Sequence, residues 1–177
     1  MSPEEIESSI SFTKRKLIIS KYDYYKTRGA SKTILELTKL EGKTFGTLME
    51  KMIIEHLKLG GRTSSQNDAI YGYKKIEIKS SRYWTNGNYM FQHIEPNHDF
   101  DILITAVLKI NEIELRVIKK QDLIPHLIKQ GNQGYFLYGD KAKQVCEIIK
   151  NQNDLINFIG VQVKLDIIDD KIKCNLL

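Results

Sequence analysis

Residues 67–80 read NDAIYGYKKIEIKS, and the rest of the chain is best read from this stretch. Ala69 to Tyr73 and Lys75 to Ser80 flank a turn near Gly72 to Lys74, and the second run alternates in character, which predicts a β-hairpin over 68–83. On the second strand Glu77 and Lys79 are two residues apart, so both side chains leave the same face. Asp68 stands at the mouth of the first strand, where hairpin pairing brings it beside Glu77. Two carboxylates and one ammonium gather in a small volume. Ile76 and Ile78 occupy the opposite face, which predicts a half-buried strand with its charges on one side.

Upstream, the chain reads as helical. Pro3 with Glu4 and Glu5 suits a helix start, because proline fits a first turn and acids suit its positive end. Leu17, Ile18, Tyr22 and Tyr25 recur at helical spacing until Arg28-Gly29 interrupts them. Ser31 can cap a short helix that runs through Leu40 and stops at Gly42. A stronger helix is expected from about Thr44 to Leu59, carrying Glu50 and ended by Gly60-Gly61.

Downstream, 85–98 opens with turn residues and is expected to be a loop leading into a short helical or extended piece. Phe100 to Leu108 is the most strand-like run, apolar enough to be buried on both faces. Asn111 turns it back into a strand over Glu112 to Ile118. Asp122 to Gln130 reads as a short helix with Pro125 near its start, Tyr135 to Tyr138 as a strand, and Lys141 to Ile149 and Asp154 to Ile159 as helices. Val161 to Leu177 alternates weakly and suggests an edge hairpin turning at Asp169-Asp170. The fold expected is one α/β domain over residues 1–177. A helical N-terminal segment occupies 1–41, a core with a central mixed β-sheet flanked by helices occupies 43–108, and 109–177 completes sheet and helices.

Composition narrows the function. The chain has 177 residues, 41% hydrophobic and 28% charged, which is a globular balance. No apolar run approaches the roughly 20 residues of a membrane span. The opening MSPEEIESSI has no apolar stretch of a secretory signal, so a cytoplasmic location and no membrane partner are expected. Cys146 and Cys174 are far apart and form no CxxC pair, which leaves neither a disulfide scaffold nor a cysteine-rich zinc site. The net charge of +5 favours a polyanionic partner such as double-stranded DNA. Most of that charge is lysine, which suits phosphate contact better than bidentate base reading.

Asp68 and Glu77 with the Ile78 carbonyl are the hard oxygen donors that a hydrated Mg²⁺ takes, and Lys79 can orient an attacking water or stabilise developing charge. Such a site serves phosphodiester hydrolysis. The same spacing also occurs on exposed strands as a solvated ion pair worth under about 1 kcal/mol. Glu50 brings a third carboxylate from the preceding helix, with Glu55 the alternative on that helix.

These residues resemble the core of the PD-(D/E)XK nucleases: Gly46-x-x-x-Glu50 on a helix, Asn67-Asp68 at a strand start, then Glu77-Ile78-Lys79-Ser80. Asn67 stands where the family's name has proline. Phe91-Gln92-His93-Ile94 and Asp99 to Ile104 also resemble restriction endonucleases of this superfamily, so the likeness spans about 43–108. It implies a restriction-endonuclease-like fold and a Mg²⁺-dependent DNA endonuclease, with Mn²⁺ as a substitute. Carried over, Asp68, Glu77, Glu50 and the Ile78 carbonyl hold the metal and Lys79 is the catalytic lysine. A homodimer, or a larger DNA-recognition subunit of a type IIS enzyme, is the implied partner. A repair or junction-resolving nuclease, or a non-catalytic nucleic-acid-binding protein, stays open as an alternative.

Two further segments are candidates for DNA contact. Arg62 and Ser65 lie in the loop before Asp68, and Arg82 lies in a loop with Tyr83, Trp84, Asn86 and Asn88. Gln92 and His93 are candidates to approach the scissile phosphate or a metal-bound water, with a buried, satisfied pair as the equal alternative. Cys146, in an expected helix without a neighbouring histidine, reads as inert packing.

Overall fold

The computed structural model describes residues 22–160. Residues 22–26 are helical (α1), followed by α2 (Lys32–Lys39), α3 (Gly42–Leu57), β1 (Gly60–Gly61), β2 (Ala69–Tyr71) and β3 (Lys74–Arg82). Then come β4 (Met90–Ile94), β5 (Ile102–Leu108), β6 (Ile113–Lys119), α4 (Lys120–Leu123) and a 3-10 turn at Ile124–His126. The series closes with β7 (Ile128–Lys129), β8 (Tyr135–Tyr138), α5 (Gly139–Val145), β9 (Glu147–Ile149) and a helix over 152–160, α6. The readings made for 1–21 and 161–177 lie outside the described residues. Among the described residues no helix is long and apolar enough to cross a membrane.

The protein is α/β, with a mixed six-stranded sheet in the order β1-β2-β3-β5-β6-β9 and helices flanking it. β3 is antiparallel to β2 and parallel to β5, and β5 is antiparallel to β6. β5 is buried along its whole length, as a strand covered on both faces must be. Its even-numbered residues Ile102, Ile104, Ala106 and Leu108 join Ile76 and Ile78 under Phe45, Met49, Ile53 and Leu57 of α3. The i, i+4 spacing of those four α3 residues makes the stripe that packs on the sheet. Leu103 and Val107 face the other way, into a second cluster with Phe91, Ile94, Ile118, Leu123 and Leu137. That cluster sits beneath a three-stranded sheet, β4-β8-β7, which the sequence reading did not foresee.

The hairpin reading holds. Tyr71 pairs with Lys74 and Ala69 with Ile76, leaving Gly72-Tyr73 as the turn. Gly72 has φ +60°, the left-handed conformation that tight hairpin turns require and glycine adopts without cost.

Several boundaries are corrected. Gly42 begins α3 rather than ending α2. What terminates α2 is the Arg82 guanidinium, which donates to Thr38 O at 3.0 Å and Leu40 O at 2.8 Å. α3 stops at Lys58 in a left-handed conformation, and Gly60-Gly61 is a short strand paired with β2 instead of the stop signal. The helix expected over Lys141 to Ile149 ends at Val145. Arg116 captures Lys143 O and Cys146 O, both at 3.1 Å, and the next residues pair with β6 as β9. The expected helix over 122–130 is a single turn of α4, the 3-10 turn and β7. Residues 90–94 settle the open reading of 85–98 as a strand.

The N-terminal helices are fastened by Tyr25, which is fully buried. Its hydroxyl donates to Leu108 O and accepts the Tyr83 N–H at 3.0 Å. Tyr24, meanwhile, stacks on Tyr83 at 5.4 Å.

Candidate active site

The site is built at the point where β2 leaves β3. Along β3 the main-chain groups alternate in direction. Lys75 O accepts the Asp101 N–H beside β5, and Ile76 O accepts the Asp68 N–H on the β2 side. A residue's N–H and C=O leave a strand on the same edge, so those of Ile78 also face the β2 side. There β2 has already ended with the Ala69–Ile76 pair. The Ile78 N–H is taken instead by Asp68 Oδ2 at 2.7 Å. Its carbonyl faces the same open edge, beside the Asp68 carboxylate.

Asp68, one residue before the Ala69–Ile76 pair, gives its own N–H to Ile76 O, and its charge acts on both Glu77 and Glu50. Lys79 Nζ lies 2.5 Å from Glu77 Oε1. The half-exposed face expected for these charges is corrected: Glu77 is only 4% exposed, because β4 and its sheet cover that side. Burial pushes the Glu77 carboxyl above the usual carboxylate range, with Lys79 opposing the shift and Asp68 adding to it. Glu50 reaches the site from α3. Its carboxyl is also raised, first by burial and then by the Asp68 charge, against the pull of Arg62 and Lys79. Proximity of like charges in a partly dry site is what disfavours their ionised forms. It is also the condition in which a cation binds well.

A cleft of about 610 Å³ follows the open edge of β3 between α3 and β4. Glu50, Asp68, Lys79 and the Ile78 position line it, with Gln92 and His93 on the β4 side. Gly42, Gly46 and Glu50 recur every four residues on α3, so one face of that helix enters the cleft with two bare positions before the carboxylate. A Cβ at either glycine would meet nothing within 4 Å, so this wall is smooth and open. Glu55, the alternative acid, is exposed beside Lys51 and lies away from the cleft. Among the described residues no three His, Cys, Asp or Glu side chains stand close enough to enclose a metal ion as they are. Glu77 is turned to Lys79 and Asp68 to the Ile78 N–H.

The loop candidates divide. Arg62 and Ser65 are exposed before Asp68 and do not line the cleft, although the Arg62 charge acts on Glu50. The loop is organised by buried Asn67, whose amide bonds Thr63 and Ser64. The placement of Arg82 in a loop is corrected: it is the last residue of β3. Its guanidinium lies over the Phe45 ring at 4.4 Å while its Nη1 caps α2, and the residue also lines the cleft. Asn86 and Asn88 close a turn next to Trp84. The sequence reading missed Lys43 and Met90, which line the cleft together with Trp84. The Gly42, Gly46, Glu50 periodicity is the signal that leads to Lys43. Cys146 is buried, and burial pushes its thiol up to about 11, as inert packing requires.

Comparison with known proteins finds no matching family model and no match among curated proteins.

Proposed function

We propose that the chain is a Mg²⁺-dependent DNA endonuclease on a restriction-endonuclease-like core. One observation carries the reading: Asp68, the Ile78 carbonyl, Glu77 and Lys79 come together where β2 leaves β3, at the wall of an open cleft that Glu50 enters from α3. The order of helix, hairpin and parallel strand around them agrees with that core. The donor set is all oxygen, the chemistry Mg²⁺ takes. The Asp68 carboxylate, the Ile78 carbonyl and Glu77 are the groups that would hold the ion, once Glu77 turns from Lys79. Bound there, the ion supplies Lewis acidity at the phosphoryl oxygens.

The chain's own residues do the rest. The Lys79 ammonium, released as Glu77 turns, points a donor at the attacking water or at the charge growing on phosphorus. Glu50, entering the cleft from α3, takes the water's proton. The smooth Gly42–Gly46 face with Lys43 beside it accommodates a phosphate backbone. Each such centre cuts one strand, so double-strand cleavage calls for a second copy or a larger DNA-recognition subunit.

The test is digestion of unmethylated plasmid and phage DNA with Mg²⁺, comparing the wild type with Asp68→Ala. Discrete fragments or nicks that vanish in the variant support the reading. Cleavage that is equal in both overturns the site.

A further inference from the structure

β4 carries an irregularity that the active-site assignment does not use. Phe91 pairs with Leu137 and Ile94 with Tyr135, so Gln92 and His93 together stand opposite Phe136 alone. On a regular strand residues three apart face opposite sides, yet Phe91 and Ile94 are both buried in the same cluster. The extra residue of the bulge makes this possible, and it turns both Gln92 and His93 out into the cleft. His93 adopts φ 56°, a left-handed conformation costing an L-residue about 1–2 kcal/mol and tolerated best by Asn, Asp and His. Gly134, at φ +76°, leaves the space: a Cβ there would run into the Glu95 carboxylate and lie 3.7 Å from the His93 Cα. Bulges of this kind re-aim side chains next to sites.

Both side chains share the cleft with Lys79. Ser81 Oγ donates to Met90 O at 2.8 Å and ties β3 to β4. Two residues back along β3 is Lys79, and two residues forward along β4 is Gln92, with His93 next. The cleft therefore has the carboxylate–lysine wall on one side and an amide–imidazole wall on the other. In an in-line displacement the departing oxygen lies opposite the attacking water, so water activated at the first wall sends the leaving group toward the second.

We propose that His93 is the acid that protonates the departing O3′ of the scissile phosphodiester, with Gln92 holding a non-bridging oxygen beside it. The inference rests on the nuclease reading. In the step, water oxygen forms the new bond to phosphorus and its proton goes to Glu50. The P–O3′ bond breaks with its electron pair going to O3′, and O3′ takes the imidazolium proton. Products are a 5′-phosphate and a 3′-hydroxyl. Imidazole is the side chain suited to giving that proton near neutral pH.

The test uses the full chain, with Mg²⁺, on a duplex containing a mapped cleavage site. A second duplex has sulfur in place of the bridging O3′, a leaving atom that departs without a proton. His93→Asn keeps a residue that accepts the left-handed backbone but has no acid proton. Single-turnover cleavage of the oxygen duplex should fall by about 100-fold, with DNA affinity and thermal unfolding unchanged. On the sulfur duplex the variant should recover to near the wild-type rate. Equal loss on both duplexes, or no loss on the first, overturns the role of His93 while leaving the nuclease intact. A wild type that cleaves neither duplex overturns the nuclease reading, and this inference with it.

Discussion

Asp68 Oδ2 accepts the Ile78 main-chain N–H at 2.7 Å, and by this bond an aspartate side chain replaces the strand residue that β2 no longer supplies. The same carboxylate is thereby fixed against β3 at the wall of the cleft. Structure and chemistry are coupled at a single residue, and substitutions can separate them.

Asp68→Asn keeps an oxygen acceptor for the Ile78 N–H, whereas Asp68→Ala leaves that donor unpaired at a partly buried edge. The asparagine variant should lose cleavage by 100-fold or more, about the scale of removing one charge-stabilising group, while unfolding near the wild-type temperature. The alanine variant should lose the same activity and also about 1–2 kcal/mol of stability. Paired cleavage assays and urea unfolding check this. A stable, active asparagine variant would sink the ligand assignment.

Glu77→Gln should stabilise the fold while abolishing cleavage. Burial raises the Glu77 carboxyl, so the folded state binds its proton more tightly than the unfolded state. The stability it contributes is full below the ordinary glutamate range and is lost as pH rises through the raised value. Glutamine does not titrate and can still accept from Lys79. At pH 8 the variant should melt higher, by about 2–4 °C for each kcal/mol relieved. The gap should close as pH falls below the ordinary glutamate range. A variant less stable at pH 8 would show that the Lys79 pair outweighs burial.

Arg82→Ala should be a stability variant. It removes the cap on α2 and the stacking on Phe45, and should cost about 2–3 kcal/mol in chemical denaturation. The salt dependence of DNA binding should not change. A reduced salt slope at unchanged stability would show that Arg82 contacts phosphate instead.

Tyr25→Phe removes a hydroxyl that both donates to Leu108 O and accepts from Tyr83 N, deep in the core. A loss of about 1–3 kcal/mol is expected from the unpaired buried groups. Hydrogen exchange should show the Tyr83 amide losing protection first. Unchanged exchange there would mean that this bond does not hold α1 in place.

Periodicity made much of this fold legible. The Met49, Ile53 and Leu57 stripe gives α3, the unbroken apolar run gives β5, and the alternation over 67–80 gives the hairpin and its charged pair. These segments are long or regular enough that local pattern and burial agree. Shorter segments were open to capture by distant residues. Ala142, Val145, Cys146 and Ile149 are spaced like a helix face, but Arg116 takes the carbonyls where the helix would continue and the β6 edge pairs the residues after it. Arg82 does the same to α2, so Gly42 was free to open α3.

The chain by itself determined which charged groups are gathered together. Asp68, Glu77 and Lys79 are bound by hairpin register, and register depends on a turn and an alternation that are local. Tertiary structure alone decided their surroundings. The second sheet over β3 buries Glu77, the early end of β2 opens an edge for the Ile78 carbonyl, and the bulge in β4 turns two polar side chains into the cleft. Each of these depends on pairing between segments far apart in sequence, whose free energy comes from burying both partners at once. No single stretch of residues encodes it.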